Sequence, residues 1–523
     1  MERGCPLRSL GICLVMIVSL MLFIAGVENA IAAVSWKSAV SGNWSVGANW
    51  DTGVPPSSFD DAVITLDGTY TVTLNIDATI NSLTLGGTTG TQTLSAGGGT
   101  ITINGASTVN NHGAFSLSGS ILQGSGTRTN QGTLTLVSST VNTGLTNGGT
   151  LNAPEGNSVI NGALINQAGG MLRLDGVNGW SVLTVASGTN HGTIELTSTL
   201  GAGNARIQDG ALTNASDGVI NVLAGSGGGR YWNTDLTNQG TVTVSQTLTM
   251  GKASAVHTNS GTITVAGGKT MTVSSGTFTN AQGGILQGTG TINVSNATFS
   301  NAGNINPGTS PGILTFTGNV PQTSTGAMNI EIGGVTVGTQ YDRVSASGTV
   351  TFAGSLNVSL VGGFSPNVGD SFTIVTYGSR TGTFGITNFT PLTGGKAWSL
   401  SYNATSAVLA VVFAPGAFNK SSPANEATGQ TTSLNLTWGA SSGATSYEYC
   451  YDTSNNSICD GSWISVGSNL SVGLSGLTAG TTYYWQVRAR NVAETTEADS
   501  GTWWKFSTFK SNSYYLYLPT ILR

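Results

Sequence analysis

Apolar residues alternate with small polar residues in short runs along most of the chain. Leu134 and Leu136 are two residues apart, as are Ile263 and Val265. This spacing places both side chains of a pair on one face of a strand, and the helical spacing of three and four residues is missing. A Gly precedes many of these runs, which suits a tight corner, and the Thr, Val and Ile within them suit a pleated surface. The pattern predicts an all-β chain of short strands joined by tight corners.

The alternating runs belong to a repeated phrase that consists of an Asn, a Gly within one to four residues, and a strand. A clear copy reads Asn130-Gln-Gly-Thr-Leu-Thr-Leu136. The steps between successive Asn residues are 19, 17, 19, 24, 24, 24, 21, 21 and 21, a period that indicates stacked solenoid units. We therefore predict a parallel β-helix over residues 67–310, in which each Asn lies above its counterpart on the next coil. Stacked amide side chains can form a hydrogen-bonded ladder, and its predicted members are Asn111, Asn130, Asn147, Asn166, Asn190, Asn214, Asn238, Asn259, Asn280 and Asn301.

The composition indicates many tight corners and a weakly charged surface. Gly supplies 76 of 523 residues, and charged residues make up 8% of the chain, about a third of the usual ~25%. The formal net charge is −5, so the chain has no basic field that would hold nucleic acid, and we expect no nucleic-acid partner. With only three His residues, the sequence indicates neither a metal site nor a cofactor.

The first 32 residues have the pattern of an export signal. Arg3 and Arg8 precede the apolar run from Leu10 to Val27, and Ala30-Ile31-Ala32 supplies a small-residue cleavage pattern. The apolar run is near the length of a membrane span, so an uncleaved anchor helix is the alternative. We predict a secreted or cell-surface protein with no integral membrane domain after signal cleavage.

Segments on both sides of the repeats resemble the ends of the parallel β-helix in autotransporter passenger proteins. The first contains Gly42-Asn43-Trp44 and Asn49-Trp50, and the second contains Asn306-Pro-Gly-Thr-Ser-Pro-Gly312 and Gln340-Tyr341-Asp342-Arg343-Val344. The resemblance implies a right-handed parallel β-helix with a Trp-bearing N-terminal cap over residues 33–66. It also implies a closing cap over 311–414.

Residues 415–509 resemble a fibronectin type III domain. The motifs that carry the resemblance are Leu434-Asn-Leu436-Thr-Trp438 and Leu477-Thr-Ala-Gly480-Thr-Thr-Tyr483. The resemblance implies an immunoglobulin-like β-sandwich with Trp438 and Tyr483 in its core, and with the Tyr483 hydroxyl tied back to the chain. The apolar C-terminal tail, residues 510–523, is interpreted as an extra strand of this domain, with a sorting or attachment tail as the alternative.

Two cysteines remain after removal of the signal, Cys450 and Cys459. A lone pair nine residues apart in an exported protein predicts a disulfide bond. Most fibronectin type III domains lack such a pair.

One group of residues in the repeats has the chemistry of a glycan-binding site. Arg206 and Arg230 fall at the same offset from their Asn on successive coils, so they are predicted to stack, and Tyr231 and Trp232 follow the second Arg. Trp180 lies one coil earlier. An Arg pair beside exposed aromatic rings suits a glycan through ring stacking and bidentate hydrogen bonds. Packing of these bulky residues over a corner of the coil is the simpler interpretation.

A catalytic site is not indicated by the acidic residues. Glycosidases need two carboxylates about 5 to 10 Å apart, and only Glu155 and Asp175 nearly coincide in phase on neighbouring coils. Acidic residues in solvent-facing corners more often serve solubility, and no catalytic residue is assigned.

The sequence therefore predicts an exported, non-enzymatic bacterial surface or extracellular matrix protein that acts in adhesion, scaffolding or glycan contact. The expected partner is an extracellular glycan or another surface protein. The first alternative is a carbohydrate-active enzyme, either a polysaccharide lyase or a glycoside hydrolase, on a β-helix. The second is a purely structural stalk.

Overall fold

A computed structural model describes residues 32–510 apart from Leu200, Ser310 and Ala493. The predicted export signal and the apolar tail beyond residue 510 lie outside the described residues. Contacts divide the chain into two units, one of residues up to 286 together with 290–300, and one of residues 287–289 together with 301 onward. Among the described residues, no helix has the length and apolar character needed to cross a membrane.

The first unit is a parallel β-solenoid, as predicted. Its strands alternate buried and half-buried residues, as in Thr133–Val137, so one side of each strand faces a continuous apolar core. Leu134 is the parallel pairing partner of Phe115 on one neighbouring strand and of Leu151 on the other. Like residues therefore stack above one another from coil to coil. The only helix described in this unit is the short 3-10 turn Gly47–Asn49.

Each coil contributes strands to two walls. The first wall is one parallel sheet, and from Asn130 onward its strands follow the corner asparagines: Gly42–Asn43, Tyr70–Leu74, Gln92–Gly97, Gly113–Ser118, Thr133–Val137, Thr150–Ala153, Met171–Asp175, Thr193–Thr197, Val219–Val222, Thr241–Val244 and Thr262–Val265.

The second wall consists of the strands on the other side of this corner, which from Asn130 onward lead up to the asparagines. Its strands are interrupted in the outer coils and nearly continuous in the middle ones: Ala32–Ser35, Asp60–Ile64, Ala78–Ile80, Ser82–Leu85, Thr100–Ile103, Ser107–Val109, Ile121–Gln123, Arg128–Asn130, Thr140–Val141, Leu145–Asn147, Gly156–Asn166, Trp180–Asn190, Asn204–Asn214, Arg230–Asn238, Leu248–Met250, Val256–Asn259, Thr270–Val273, Thr277–Asn280 and Thr291–Asn293. Two further strands contain residues of both units: Ile285–Gly288 and Thr298–Asn301.

The first part of the second unit also pairs its strands in parallel, and the antiparallel pairs begin at Ser371–Thr376. The parallel strands are Asn304–Pro307, Ile313–Thr317, Val320–Pro321, Ala327–Ile332, Arg343–Ala346, Thr349–Phe352, Ser355–Leu360, Ser379–Gly382 and Ile386–Phe389. The antiparallel strands that pair with Ser371–Thr376 or with each other are Lys396–Tyr402 and Ser406–Phe413.

The last part of the second unit, residues 415–510, has two sheets around one apolar core, and we call it the C-terminal module. The smaller sheet has the strands Lys420–Ser422, Leu434–Trp438 and Ser471–Leu474. The larger has Ala427–Gln430, Ser446–Asp452, Ile464–Ser465, Thr482–Arg490, Thr495–Glu497 and Trp504–Thr508. Trp438 and Tyr483 are both buried in the shared core. The Tyr483 hydroxyl accepts a hydrogen bond from the Thr478 N–H at 2.9 Å, and a 3-10 turn covers Ala498–Gly501.

The asparagines from Asn130 to Asn280 form one buried column inside the first unit. Each donates a hydrogen bond from its side-chain amide to the side-chain oxygen of the next, at distances of 2.6 to 2.8 Å. Asn214, for example, also donates to the carbonyl groups of Gly218 and Thr241. The amides therefore satisfy one another and the corner backbone, where water cannot reach. Asn301 is also buried, and it forms a bridge with Gln322 within the second unit.

The prediction for Asn111 is wrong. Asn111 is exposed in a turn, and the residue in register with Asn130 is Val109. Register is set by the apolar strand residues that follow, since Phe115 pairs with Leu134. The Gly lies four residues after Val109 but two after Asn130, so counting back from the Gly selects the wrong position.

The N-terminal end of the first unit is filled by tryptophans. Trp36, Trp44 and Trp50 are all buried. The centre of the Trp50 ring lies 5.1 Å from the centre of the Trp36 ring and 4.8 Å from the centre of the Trp44 ring. The Trp50 indole N–H donates to the Trp44 carbonyl at 2.9 Å, which satisfies the polar group of a fully buried ring.

One buried position of the second wall carries a histidine. His257 is 1% exposed and lies between Leu236 and Phe278 on the neighbouring strands. Both ring nitrogens lack a hydrogen-bond partner among the described residues. Burial lowers the pKa of His257 from 6.5 to about 4, so the ring is neutral at pH 7.

Candidate functional site

An open groove of about 690 Å³ crosses the middle coils of the first unit. It lies where three long strands of the second wall begin, at Gly156, Trp180 and Asn204. The lining residues are Val137, Ser138, Glu155, Gly156, Asn157, Gly179, Trp180, Val182 and Arg206.

Trp180 and Arg206 line this groove and form a cluster with Tyr231. The Arg206 guanidinium carbon lies 4.1 Å from the centre of the Trp180 ring and 5.4 Å from the centre of the Tyr231 ring. The two ring centres are 5.1 Å apart. We call these three residues the aromatic–arginine cluster. Guanidinium groups bind aromatic faces in this way through the ring quadrupole.

Strand register brings the cluster together. Arg206 pairs with Val182 on one side and with Tyr231 on the other. The neighbours of Arg206 along its own strand, Ala205 and Ile207, are buried, so alternation turns Arg206 outward. Trp180, the first residue of its strand, remains 39% exposed, which leaves part of a large apolar ring in contact with solvent.

The groove also contains hydrogen-bonding groups. Arg206 lines the groove and its guanidinium carries several N–H donors, of which the Nε is itself buried and has no hydrogen-bond partner among the described residues. Glu155 supplies a carboxylate, which only accepts hydrogen bonds when ionised, and Asn157 supplies an amide, which can both donate and accept.

One residue of the groove lining must be a glycine. Gly156 has φ +75°, and a Cβ at this position would lie 2.1 Å from the Ser138 Oγ of the neighbouring coil. The left-handed conformation and the close approach both require Gly. A side chain at this position would clash with Ser138, which also lines the groove.

The predictions for Arg230 and Trp232 as exposed site residues are wrong. Both side chains are 1% exposed and point into the coil. Arg206 is in register with Tyr231, and Arg230 is in register with Ala205, so the two arginines do not stack. The cause is a register shift between Asp209 and Ala211, because one extra residue in a strand moves the preceding side chains to the opposite face.

Arg230 instead fastens the loop that leads to Tyr231. Its guanidinium donates hydrogen bonds to the carbonyl oxygens of Leu223, Ala224, Gly227 and Gly229 at 2.9 to 3.2 Å. Sequence reasoning missed this role. An Arg directly after a Gly-rich run is the signal that could have indicated it, since such a run presents many carbonyl groups without side chains.

The structure does not join Glu155 and Asp175 in one site. Asp175 accepts hydrogen bonds from the backbone N–H and the hydroxyl of Thr199 and lies 3.7 Å from the Nε of Arg173. It is not among the residues that line the groove, whereas Glu155 is.

Two findings concern chemistry elsewhere in the chain. Cys450 and Cys459 form the predicted disulfide bond, with their Cα atoms 5.9 Å apart. Within the described ranges, no group of three or more His, Cys, Asp or Glu residues is placed to hold a metal ion.

Comparisons with known proteins gave no family assignment. No protein-family model and no curated protein matches it. It is similar to a solved structure described as the crystal structure of a TibC-catalyzed hyper-glycosylated TibA55-350 fragment. The identity is 17%, the match covers 69% of this chain and 97% of that chain, and the TM-score is 0.20. Such a score carries no weight for fold or function, so the parallel solenoid is established by the strand pairing of this chain alone.

Proposed function

We propose that the chain is a non-enzymatic bacterial protein of the cell surface or extracellular matrix, and that the groove on its middle coils binds a glycan. The observation that carries the proposal is the aromatic–arginine cluster, which places a partly exposed Trp180 ring beside the Arg206 guanidinium in the lining of the groove. Adhesion or scaffolding follows from glycan binding by a long, weakly charged solenoid.

The groups in the groove match the chemistry of a sugar. The apolar face of a pyranose ring packs on an exposed aromatic ring such as Trp180, which combines a large apolar area with a polar edge. The Arg206 guanidinium can donate to two hydroxyls at once, and the carboxylate of Glu155 accepts hydrogen bonds from others. The groove is open rather than enclosed, so it suits one segment of an extended polysaccharide.

Binding without cleavage is supported by the carboxylate content of the groove. Glycoside hydrolysis uses a pair of carboxylic residues on either side of the scissile bond. Glu155 is the single carboxylate among the residues that line the groove, and Asp175 has other partners. A carbohydrate-active enzyme is therefore the less favoured function for this site.

We also propose the setting in which the groove works. Export by the segment 1–32 would place the solenoid outside the cell, and its caps would be residues 33–66 and 311–414. A right-handed coil is our proposal from the resemblance to autotransporter passengers. The C-terminal module is proposed to be a fibronectin type III domain that acts as a spacer or docking unit. Its two sheets, its core with Trp438 and the hydroxyl contact of Tyr483 support this proposal.

A glycan array tests the proposal with the exported protein, residues 33–523. We expect binding to a subset of glycans. Trp180→Ala and Arg206→Ala should each weaken that binding at least about ten-fold, because a stacked ring and a charge-assisted hydrogen bond each contribute more than about 1.4 kcal/mol in a desolvated site.

Phe59→Ala is the matched control, since Phe59 is an aromatic residue of the same unit that is 59% exposed and does not line the groove. If the Trp180 and Arg206 variants bound glycans as strongly as the parent protein, the groove would be refuted as the site. Absence of binding to every glycan would favour a purely structural stalk.

A further inference from the structure

The C-terminal module contains a lysine with no exposed side-chain surface. Lys420 opens the first strand of the module, and its side chain is 0% exposed. Its Nζ donates to the Gln486 Oε1 at 2.6 Å and to the Thr502 carbonyl at 2.7 Å. Two of its three hydrogens therefore point to fixed neutral acceptors.

The third direction from Nζ leads to a carboxylate. The Nζ lies 3.0 Å from the Oδ2 of Asp499, whose side chain is 17% exposed. Oδ2 also accepts the backbone N–H of Lys420 at 3.1 Å. The side-chain amide of Asn419 can be oriented so that its nitrogen donates to both the Phe418 carbonyl and Asp499. In that orientation the nitrogen lies 3.2 Å from the Oδ1 of Asp499. Oδ2 thus contacts both nitrogens of Lys420, and Oδ1 has the Asn419 amide as its donor.

Aromatic rings enclose this pair. The Nζ lies 5.6 Å from the centre of the Trp485 ring and 5.4 Å from the centre of the Trp504 ring, and Trp485 is fully buried. Burial is the main cause that lowers the pKa of Lys420 below its usual value. In such surroundings the neutral amine of Lys420 gains relative to its charged form, since desolvation disfavours charge.

We propose that the Lys420 amine and the Asp499 carboxyl group condense into an intramolecular amide bond that covalently closes the C-terminal module. This is a modification site, independent of the glycan groove. Its reactants are both within the chain, and the reaction needs no oxidant, reductant or further reactant.

The condensation releases one water molecule and is balanced in atoms and charge. A proton moves from Nζ to Oδ2 along their 3.0 Å contact, and the lone pair that this leaves on Nζ faces the Asp499 carboxyl group. Nζ attacks Cγ, and the negative charge that develops on Oδ1 is stabilised by the Asn419 amide. A second proton passes from Nζ to Oδ2, the bond between Cγ and Oδ2 breaks, and the water leaves. The products are one amide and one water from one amine and one carboxylic acid.

Proximity makes this step feasible without an external catalyst. The amine and the carboxyl group are held in contact by the folded module, which replaces an encounter in solution by an intramolecular reaction with a high effective concentration. The bond would join residues that are 79 positions apart in sequence. It would connect the first strand of the module to the 3-10 turn that precedes its last strand. Such a cross-link restricts the unfolded chain as a disulfide does.

Mass spectrometry of the exported protein tests the proposal. After reduction and alkylation of the cysteines, we expect an intact mass one water molecule below the mass calculated for the alkylated sequence. A tryptic digest should contain a branched peptide that joins Lys420 to Asp499, and cleavage after Lys420 should be absent.

Two variants distinguish this bond from a loss of water within Asp499 itself. Lys420→Arg keeps the positive charge but cannot form the amide, so its mass should equal the sequence mass. Asp499→Asn should still condense, with loss of ammonia instead of water, and should yield the same branched peptide. Water loss that persists in Lys420→Arg would indicate a succinimide at Asp499 and would refute the proposal.

A full sequence mass in the parent protein, with normal cleavage after Lys420, would also overturn the proposal and leave a buried ion pair. This readout concerns the parent protein alone, so it is unaffected by any variant that fails to fold.

Discussion

The solenoid and the C-terminal module both bury polar side chains, but they satisfy them in different ways. Asn214 in the solenoid bonds to Asn190 and Asn238, identical residues 24 positions away on either side. Lys420 in the module has three partners of different kinds, at separations of 66, 79 and 82 residues. Repetition supplies each buried amide with a partner automatically, whereas the module needs one specific arrangement of distant residues. A solenoid therefore tolerates a long buried polar column that a compact domain could build only once.

The largest expected effect comes from breaking the asparagine column. Asn214→Ala should lower the free energy of unfolding of the solenoid by about 3 to 5 kcal/mol, because several buried donors and acceptors lose partners at about 1 to 3 kcal/mol each. Chemical denaturation followed by circular dichroism measures the change. Asn111→Ala is the control, since Asn111 is exposed, and we expect a change below about 0.5 kcal/mol. Equal effects of the two substitutions would contradict a stabilising column.

The second-largest expected effect is a loss of solenoid stability in acid. The folded-state pKa of His257 is about 4, below the value of 6.5 for the free side chain, so protonation favours the unfolded chain. The solenoid should lose about 3 kcal/mol of stability as the pH falls from about 6.5 to about 4. His257→Leu should remove this pH dependence while filling the same apolar position between Leu236 and Phe278. Denaturation midpoints measured at pH 7 and pH 4 for both proteins check the prediction, and an unchanged dependence in the variant would refute it.

The third effect comes from releasing the loop held by Arg230. Arg230→Met keeps much of the apolar stem but removes the donors to four carbonyl groups, and we expect a loss of about 2 to 3 kcal/mol. Hydrogen exchange should show the loss of protection in residues 223–231 first. Lys252→Met is a suitable control, because Lys252 is only partly buried. Loss of protection spread evenly over all coils would contradict a local role.

The smallest expected effect comes from the Tyr483 hydroxyl of the C-terminal module. Tyr483→Phe removes a hydroxyl that accepts one hydrogen bond from the Thr478 N–H, and we expect a cost of about 1 to 2 kcal/mol. Thermal unfolding of the module measures it. Tyr484→Phe is the neighbouring control, since Tyr484 points to the opposite face of the same strand. If the control cost as much as Tyr483→Phe, the hydroxyl contact would have no specific role.

Much of the fold could be predicted because a solenoid is encoded locally. The alternation around Leu134 and the recurrence of Asn predicted the parallel coil, and the structure confirms it. The isolated cysteine pair predicted the disulfide, which is also confirmed. The assignment of the C-terminal module to the fibronectin type III family stays a prediction, as do the domain boundaries.

The candidate site was predicted only in part, because its residues depend on register at single-residue resolution. Trp180, Arg206 and Tyr231 do meet in a cluster, but Arg230 and Trp232 point inward as a result of the extra residue near Gly210. A period of 24 residues cannot show such a shift, since a bulge in one strand is compensated by a shorter loop elsewhere in the coil.

By itself, the sequence determined that strands would form, that they would stack in a repeating coil, and that Cys450 and Cys459 would pair. These features follow from short-range patterns, in which alternation, spacing and turn residues act within a few positions of each other. Only the tertiary structure decided which face Arg230 occupies, that Val109 replaces an asparagine in the column, and that Lys420 meets Asp499. Each of these depends on strand register or on contacts between distant segments, and such contacts leave no local trace in the chain.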